Sequence, residues 1–208
     1  ENNLFNGSRL CHAVIPTCNT GNYDATATTE QFIRVGTSAS PKGAVTAIGM
    51  WGAGTATMPN NALTGGIFGG IFTEGMRTMG EALLYSKLNF ARLYQVSNPV
   101  MNAQFTQWCS LMGDPTMEVY ITIPNTFISN APTTLPAGFS NLDITVTDQD
   151  GLPVANAWVT LSISQGNENI IISRAYTNSA GFVYLPFTQE VNSGSIMLTV
   201  SKHNFLPL

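Results

Sequence analysis

Between residues 125 and 140 the chain changes its apolar rhythm, and that change limits the possible folds more than any other feature. The segment Asn125-Thr-Phe-Ile-Ser-Asn-Ala-Pro-Thr-Thr-Leu-Pro-Ala-Gly138 carries no charge and is rich in Pro, Thr and Asn, so it reads as a connection leading into a second domain. Beyond it, apolar residues come in short runs: Leu142, Ile144 and Val146, then 158–163, 170–172, 182–185 and 196–200. Asp-Gln-Asp-Gly, Gln-Gly-Asn, Asn-Ser-Ala-Gly and Asn-Ser-Gly turns separate them. Strands of about 5 to 7 residues at this spacing predict an all-β, immunoglobulin-like sandwich over 125–208, with Trp158 in its core. Asp148-x-Asp150-Gly151 resembles the start of a calcium loop but lacks the remaining ligands, and predicts a hairpin turn.

Residues 1–124 follow a different pattern, that of an α/β domain. Leu10-Cys-His-Ala-Val-Ile15, stopped by Pro16, and Gly43-Ala-Val-Thr-Ala-Ile-Gly49 suit buried strands of a parallel sheet. Between them, Thr29-Glu-Gln-Phe-Ile-Arg-Val35 begins with a Thr cap and predicts a crossover helix. Three- and four-residue apolar spacing predicts helices over 61–72 and 78–94, and a third over 99–112 is closed by Gly113-Asp-Pro115 and followed by a strand at 117–121. Gly65-Gly-Ile-Phe-Gly-Gly70 lacks the Lys-Ser/Thr pair of a phosphate loop. Lying in an apolar helical stretch, its small residues serve close helix packing.

The 208 residues suffice to bury a sizeable core, and only 10% are charged, against roughly 25% in ordinary soluble domains. Asn, Thr, Ser and Gln must therefore carry the surface, which suits a secreted or cell-surface protein. Eight Lys and Arg against twelve Asp and Glu provide no basic field for phosphates, so nucleic acid is excluded as a partner. No apolar run of about 18 residues is present to span a bilayer. The opening Glu1-Asn-Asn-Leu-Phe5 has neither the basic start nor the apolar stretch of a secretory signal, so either a signal was removed or the chain belongs to a longer one. Asn6-Gly7-Ser8 fits a glycosylation triplet and implies surface exposure. The three cysteines, Cys11, Cys18 and Cys109, cannot all pair with one another. His12 and His203 lie far apart and no CxxC occurs, so no metal site is expected.

In open α/β sheets functional groups collect on loops beyond the carboxyl ends of strands. Cys18 occupies such a place, one Pro-Thr step past the first strand and ahead of Asn19-Thr-Gly-Asn-Tyr-Asp24, where Gly21 lets backbone approach a bound carbonyl. Position alone serves a reactive thiol or a small turn residue equally. Cys11 and Cys109 read as packing residues. A cysteine nucleophile needs an imidazole to make its thiolate. His12 precedes Cys18 by six residues along an extended strand, which places it roughly 20 Å away, and His203 belongs to the sandwich. A catalytic Cys18 would therefore need a partner from outside these residues. Trp51, in Met50-Trp-Gly-Ala-Gly54 after the second strand, faces the same sheet edge, where it would wall a substrate pocket or anchor the loop. Asp114, ahead of Pro115, reads as a structural turn residue in preference to a metal ligand.

Four stretches together resemble the gingipain family of cysteine peptidases. They are the apolar strand leading to Cys18-Asn-Thr-Gly21-Asn-Tyr23, Gly43-Ala-Val-Thr-Ala-Ile48 with its Trp51 loop, Thr78-Met-Gly-Glu-Ala82 with Lys87, and Leu111-Met-Gly-Asp-Pro115. The resemblance covers residues 8–124. It implies that 1–124 is the C-terminal part of a caspase-like peptidase domain, followed at 125–208 by the immunoglobulin-like sandwich.

The resemblance further implies a cysteine endopeptidase with Cys18 as nucleophile and Trp51 in the substrate pocket. In the family a His-Gly pair stands some thirty residues ahead of the nucleophile, but only seventeen residues precede Cys18 here. The base is then expected on the N-terminal half of the same precursor, present as a partner chain or a missing segment. The substrate would be a protein or peptide. No cofactor is required, and structural calcium is plausible because relatives bind it. The competing expectation is a non-catalytic relative serving cell-surface assembly or adhesion.

Overall fold

A computed structural model describes residues 4–165 and 168–208. The chain divides after Val119 into two compact units.

The first unit is built on a three-stranded sheet of β1 (Cys11–Ile15), β2 (Ala44–Met50) and β3 (Cys109–Gly113), in the order β1-β2-β3. β1 runs parallel to β2, with Val14 opposite Ile48, and β3 runs antiparallel to it, with Leu111 opposite Ile48. As the central strand, β2 is buried from Thr46 through Met50 without alternation, the pattern of a strand covered on both faces. Parallel pairing of β1 and β2 requires a crossover, which α1 (Thr28–Arg34) supplies. The remaining helices are α2 (Thr57–Phe72), α3 (Met79–Tyr94) and α4 (Pro99–Trp108).

The core of this unit joins Ile48 and Met50 of β2 to Leu63 and Ile67 of α2, Met79 and Phe90 of α3 and Phe105 of α4. Each such side chain contributes about 2 kcal/mol of burial free energy. Between α2 and α3 the contact depends on small residues. A Cβ on Gly66 would lie 2.8 Å from the Ser86 backbone, and the Ser86 hydroxyl donates to the Leu63 carbonyl at 2.6 Å. α3 starts at a capping box in which the Thr78 hydroxyl accepts from the Glu81 amide while the Glu81 carboxylate accepts from the Thr78 amide.

Four local expectations change. Ala27, without a side-chain bond, is the N-cap of α1, whereas Thr29 is buried inside the helix and donates its hydroxyl to the Thr20 carbonyl. α2 begins at Thr57, ahead of 61, because Pro59 is compatible with a first helical turn. α4 stops at Trp108, where the next residue turns extended (φ −73°, ψ 112°), and Cys109–Gly113 leaves the expected helix to satisfy the second edge of β2. The strand expected at 117–121 reduces to a single bridge between Glu118 and Thr78.

The second unit consists of two antiparallel sheets, β4 (Phe127–Ser129), β5 (Asn141–Asp148) and β8 (Phe182–Pro186) in the order β4-β5-β8, and β6 (Trp158–Gln165), β7 (Glu168–Tyr176) and β9 (Ile196–Ser201) in the order β7-β6-β9. Both sheets feed one core containing Ile144 and Val146 of β5, Val159 and Leu161 of β6 and Leu185 of β8. Trp158 is only half-buried and stays outside that core. Its ring packs on Tyr176 across the strand pair, at 4.4 Å between centroids. β4 lies within the segment read as a connection because Phe127 buries itself against Phe205, ring to ring at 4.5 Å. The Asp148 turn is a hairpin turn, as expected: its carboxylate accepts from the Asp150 and Leu152 amides and Gly151 takes φ +79°. Among the described residues, no helix is long and apolar enough to cross a membrane.

Candidate active site

Pro16 ends β1, and the chain then folds into a tight turn whose hub is the Thr20 hydroxyl, 2.6 Å from the Ile15 carbonyl, 2.8 Å from the Thr17 carbonyl and accepting from the Met50 amide at 3.1 Å. Next to the hub, Asn19 adopts φ +59°, a left-handed conformation that Asn tolerates well. Two backbone bonds fasten this turn to the end of β2, from the Asn19 amide to the Gly52 carbonyl at 3.0 Å and from the Gly21 amide to the Met50 carbonyl at 2.9 Å. Such close approach requires glycine at position 21, since a Cβ there would stand 2.9 Å from the Gly49 carbonyl carbon.

Cys18 emerges from this braced turn, exposed and as a free thiol. Its sulfur lies 2.9 Å from the Thr55 hydroxyl and 3.9 Å from the Thr55 carbonyl, both on the loop between β2 and α2. The Thr55 side chain, by stabilising the thiolate, holds the Cys18 thiol below its ordinary pKa. The Asn60 side-chain amide donates to the Thr55 hydroxyl at 3.2 Å, linking α2 to the sulfur through one side chain.

Trp51 is 38% exposed on the same loop. Its amide donates to the Trp108 carbonyl at 2.9 Å, and its indole meets the Trp108 indole edge to face at 6.2 Å between centroids. Gly52, at φ +98°, brings the backbone down onto Trp108, where a Cβ would touch the indole at 3.3 Å. The Asn19–Gly52 bond places the Cys18 turn and the Trp51 loop side by side.

The other cysteines are separate from this edge. Cys109 is fully buried, and desolvation pushes its thiol up to about 11. Cys11 is exposed at the start of β1, with its sulfur 3.6 Å from the Gly43 carbonyl, so packing does not account for it. At the other end of β1 from Cys18, the half-buried His12 has both ring nitrogens engaged: Nδ1 lies 2.8 Å from the Thr46 hydroxyl, and Nε2 lies 3.1 Å from the Glu118 carbonyl, to which it donates. Burial holds the imidazole below its ordinary pKa. His203 belongs to the second unit.

Asp114 engages the Thr116 amide at 2.8 Å and the Thr116 hydroxyl at 2.7 Å, closing a turn. Among the described residues, no cluster of three or more His, Cys, Asp or Glu side chains is placed to hold a metal ion, and the Asp148 carboxylate is committed to its own turn. Asn6 is also committed: its side-chain amide donates to the Arg9 and Gly43 carbonyls and its oxygen accepts from the Gly43 amide, pinning the segment ahead of β1 to the start of β2.

The family profile described as Peptidase family C25 matches residues 1–120. The chain belongs to this family. It is thus a relative of the gingipain-like cysteine peptidases. A comparison with curated proteins finds no match. Among solved structures, the Arg-specific cysteine proteinase gingipain R (RGPB) is similar at TM-score 0.74 and 16% identity, over 98% of this chain and 45% of that one. A complex of Porphyromonas gingivalis RgpB pro- and mature domains is similar at TM-score 0.74 and 15% identity, over 98% of this chain and 46% of its own. A third structure, described as a protease, is similar at TM-score 0.73 and 17% identity, over 100% of this chain and 47% of its own. This C25 chain therefore spans about half the length of the structures it matches.

The sequence of this C25 chain singles out Cys18 and Trp51, which the structure places on neighbouring loops, but not Thr55 or Asn60, which lie beside the Cys18 sulfur and the Thr55 hydroxyl respectively. Thr55 follows Gly54 in a loop with no periodic pattern, and its contact with Cys18 spans 37 residues. The one available signal was the position of that loop, at the same sheet edge as Cys18.

Proposed function

We propose that the chain supplies the nucleophile part of a gingipain-type cysteine endopeptidase, with residues 1–124 as the C-terminal part of a caspase-like peptidase domain and 125–208 as an immunoglobulin-like sandwich. The observation that carries this reading is an exposed thiol with a depressed pKa, on a turn braced against the carboxyl end of the central strand, in a chain of peptidase family C25. The Cys18 thiolate attacks the carbonyl carbon of a scissile peptide bond. A carbon–sulfur bond forms, and the carbon–nitrogen bond breaks as the leaving amine takes a proton from an imidazolium. Water then cleaves the thioester and restores the thiol. Among the described residues no carbonyl takes the Cys18 amide, which lies against its own sulfur and is thus at hand for an oxyanion formed there. Trp51 walls the substrate subsite.

His12 is committed at the far end of β1, so the imidazole comes from outside this chain, from the N-terminal half of the same precursor. That the similar structures are about twice as long supports this source. The charge-poor composition supports a secreted or surface location.

The test uses the full-length precursor, assayed with a panel of peptide substrates and with a peptidyl chloromethyl ketone. Turnover that disappears in Cys18→Ala, with the ketone mapped to Cys18, supports the reading. Turnover that persists in Cys18→Ala overturns it. A folded wild-type protein with neither turnover nor labelling leaves the non-catalytic, surface-assembly relative as the better account.

A further inference from the structure

We propose that Thr55 is a positioning residue for the Cys18 sulfur, and that Asn60 orients the Thr55 hydroxyl so that its hydrogen points at that sulfur. The inference rests on the reading of Cys18 as the nucleophile and extends it to two residues to which neither the family match nor the sequence motif assigns a role.

The geometry sets the direction of the chain of bonds. The Asn60 amide nitrogen can only donate, and it stands 3.2 Å from the Thr55 oxygen, occupying one of that oxygen's acceptor positions. The hydroxyl hydrogen is left free to turn to the other neighbour, the Cys18 sulfur at 2.9 Å. A thiolate can only accept, so this arrangement favours the charged sulfur over the neutral thiol, in agreement with the lowered pKa of Cys18.

Thr55 has no competing structural task of the usual kind. It stands two residues ahead of α2, whose N-cap is Ala56 with no side-chain bond, so the Thr55 hydroxyl does not cap the helix. Thr64, by contrast, spends its hydroxyl on the Asn60 carbonyl one turn back, the ordinary use of a helical threonine. Asn60 sits in the first turn of α2, a rigid element, and its side-chain oxygen is shielded from solvent with no hydrogen-bond partner. Such a group is costly to keep, and helix packing does not need it, because an apolar residue of the same size would avoid the cost. Holding the Thr55 hydroxyl in one orientation is the return on that cost. The nucleophile is thereby fixed in place before any base approaches it, and the base needs only to receive the proton.

The experiment measures the rate of Cys18 alkylation by iodoacetamide against pH in the full-length protein, with the adduct mapped by mass spectrometry. Thr55→Val keeps the side-chain shape and removes the hydroxyl. It is expected to move the titration of Cys18 to higher pH and to slow alkylation at neutral pH several-fold, while the plateau rate at high pH is maintained. Thr55→Ser restores the wild-type profile, and Asn60→Leu gives an intermediate shift. Thermal unfolding of each variant, together with the labelling of buried Cys109, separates these effects from loss of fold, which would open Cys109 to alkylation as well. An unmoved profile in Thr55→Val, or a Thr55→Ser variant that behaves like Val, overturns the proposal.

Peptide turnover distinguishes this failure from that of the peptidase reading. A shifted alkylation profile in a protein that hydrolyses no peptide leaves the Thr55 role standing and removes the peptidase. An unmoved profile, together with turnover abolished in Cys18→Ala, does the reverse.

Discussion

The Gly21 amide donates to the Met50 carbonyl at 2.9 Å, so the turn carrying Cys18 hangs directly from the last residue of the central strand. Met50 is fully buried, and its position is set by the core of the first unit. The Cys18 loop thus inherits the rigidity of the sheet, although Cys18 itself lies in solvent.

Gly21→Ala tests this attachment. The new Cβ would stand 2.9 Å from the Gly49 carbonyl carbon and 3.1 Å from the Met50 nitrogen, both backbone atoms with little room to move. The expected cost is about 2 kcal/mol, as for overpacking generally. Thermal unfolding measures it, and the selectivity of Cys18 alkylation should fall in parallel. A variant of wild-type stability with unchanged alkylation would mean that the turn is held by other bonds.

The two indoles at the same edge make a second prediction. Trp108 supports Trp51 from below through a backbone bond and an edge-to-face contact worth about 1 kcal/mol. On the proposal that Trp51 walls the substrate subsite, Trp108→Phe should raise KM several-fold and leave kcat close to wild type, because the wall loosens while the sulfur stays put. Steady-state kinetics on a peptide substrate separates the two constants. An equal fall in kcat would place Trp108 in the support of Cys18 instead.

Buried Cys109 supplies an internal contrast to Cys18. Its thiol is pushed up to about 11 by desolvation and it has no solvent exposure, so at neutral pH it should remain unmodified while Cys18 reacts. Denaturant should expose it together with the core of the first unit, since it packs in the same cluster as Phe105 and Met50. Mass-spectrometric labelling across a denaturant series checks the order of reaction. Modification of Cys109 at the native rate of Cys18 would contradict the packing described here.

Much of the frame that carries Cys18 is legible in the sequence, because a run such as Gly43 to Gly49, uncharged, apolar but for Thr46 and bounded by glycines, has few uses other than a central strand. Placing Cys18 just past the neighbouring strand follows from Pro16. Tertiary pairing is what hid the rest. Cys109–Gly113 continues directly from α4 with no break in composition, and only the open edge of β2 makes it a strand. Trp158 lies half-buried beside Tyr176 because the strand's alternation gives the core to Val159 and Leu161. Thr55 meets Cys18 across 37 residues of chain, and Asn60 meets Thr55 in turn, a relation that no local pattern announces.

His12 gives the last prediction, a pH dependence of stability. In the folded protein its ring is held between Thr46 and the Glu118 carbonyl, and burial lowers its pKa below the ordinary 6.5. The unfolded chain therefore binds a proton more readily than the folded one, so stability must fall as pH drops below the unfolded value. The contribution is fully present above about pH 7 and declines as pH falls through the lowered folded value. Lowering pH from about 7.5 to about 5.5 should reduce the melting temperature of wild type more than that of His12→Gln, which cannot take up the proton. The carboxylates held below their ordinary pKa, Glu81 by the Arg77 amide and Asp114 by the Thr116 hydroxyl, remain ionised over this interval and leave the difference to the histidine. Equal pH slopes in the two proteins would show that His12 titrates alike in the folded and unfolded states.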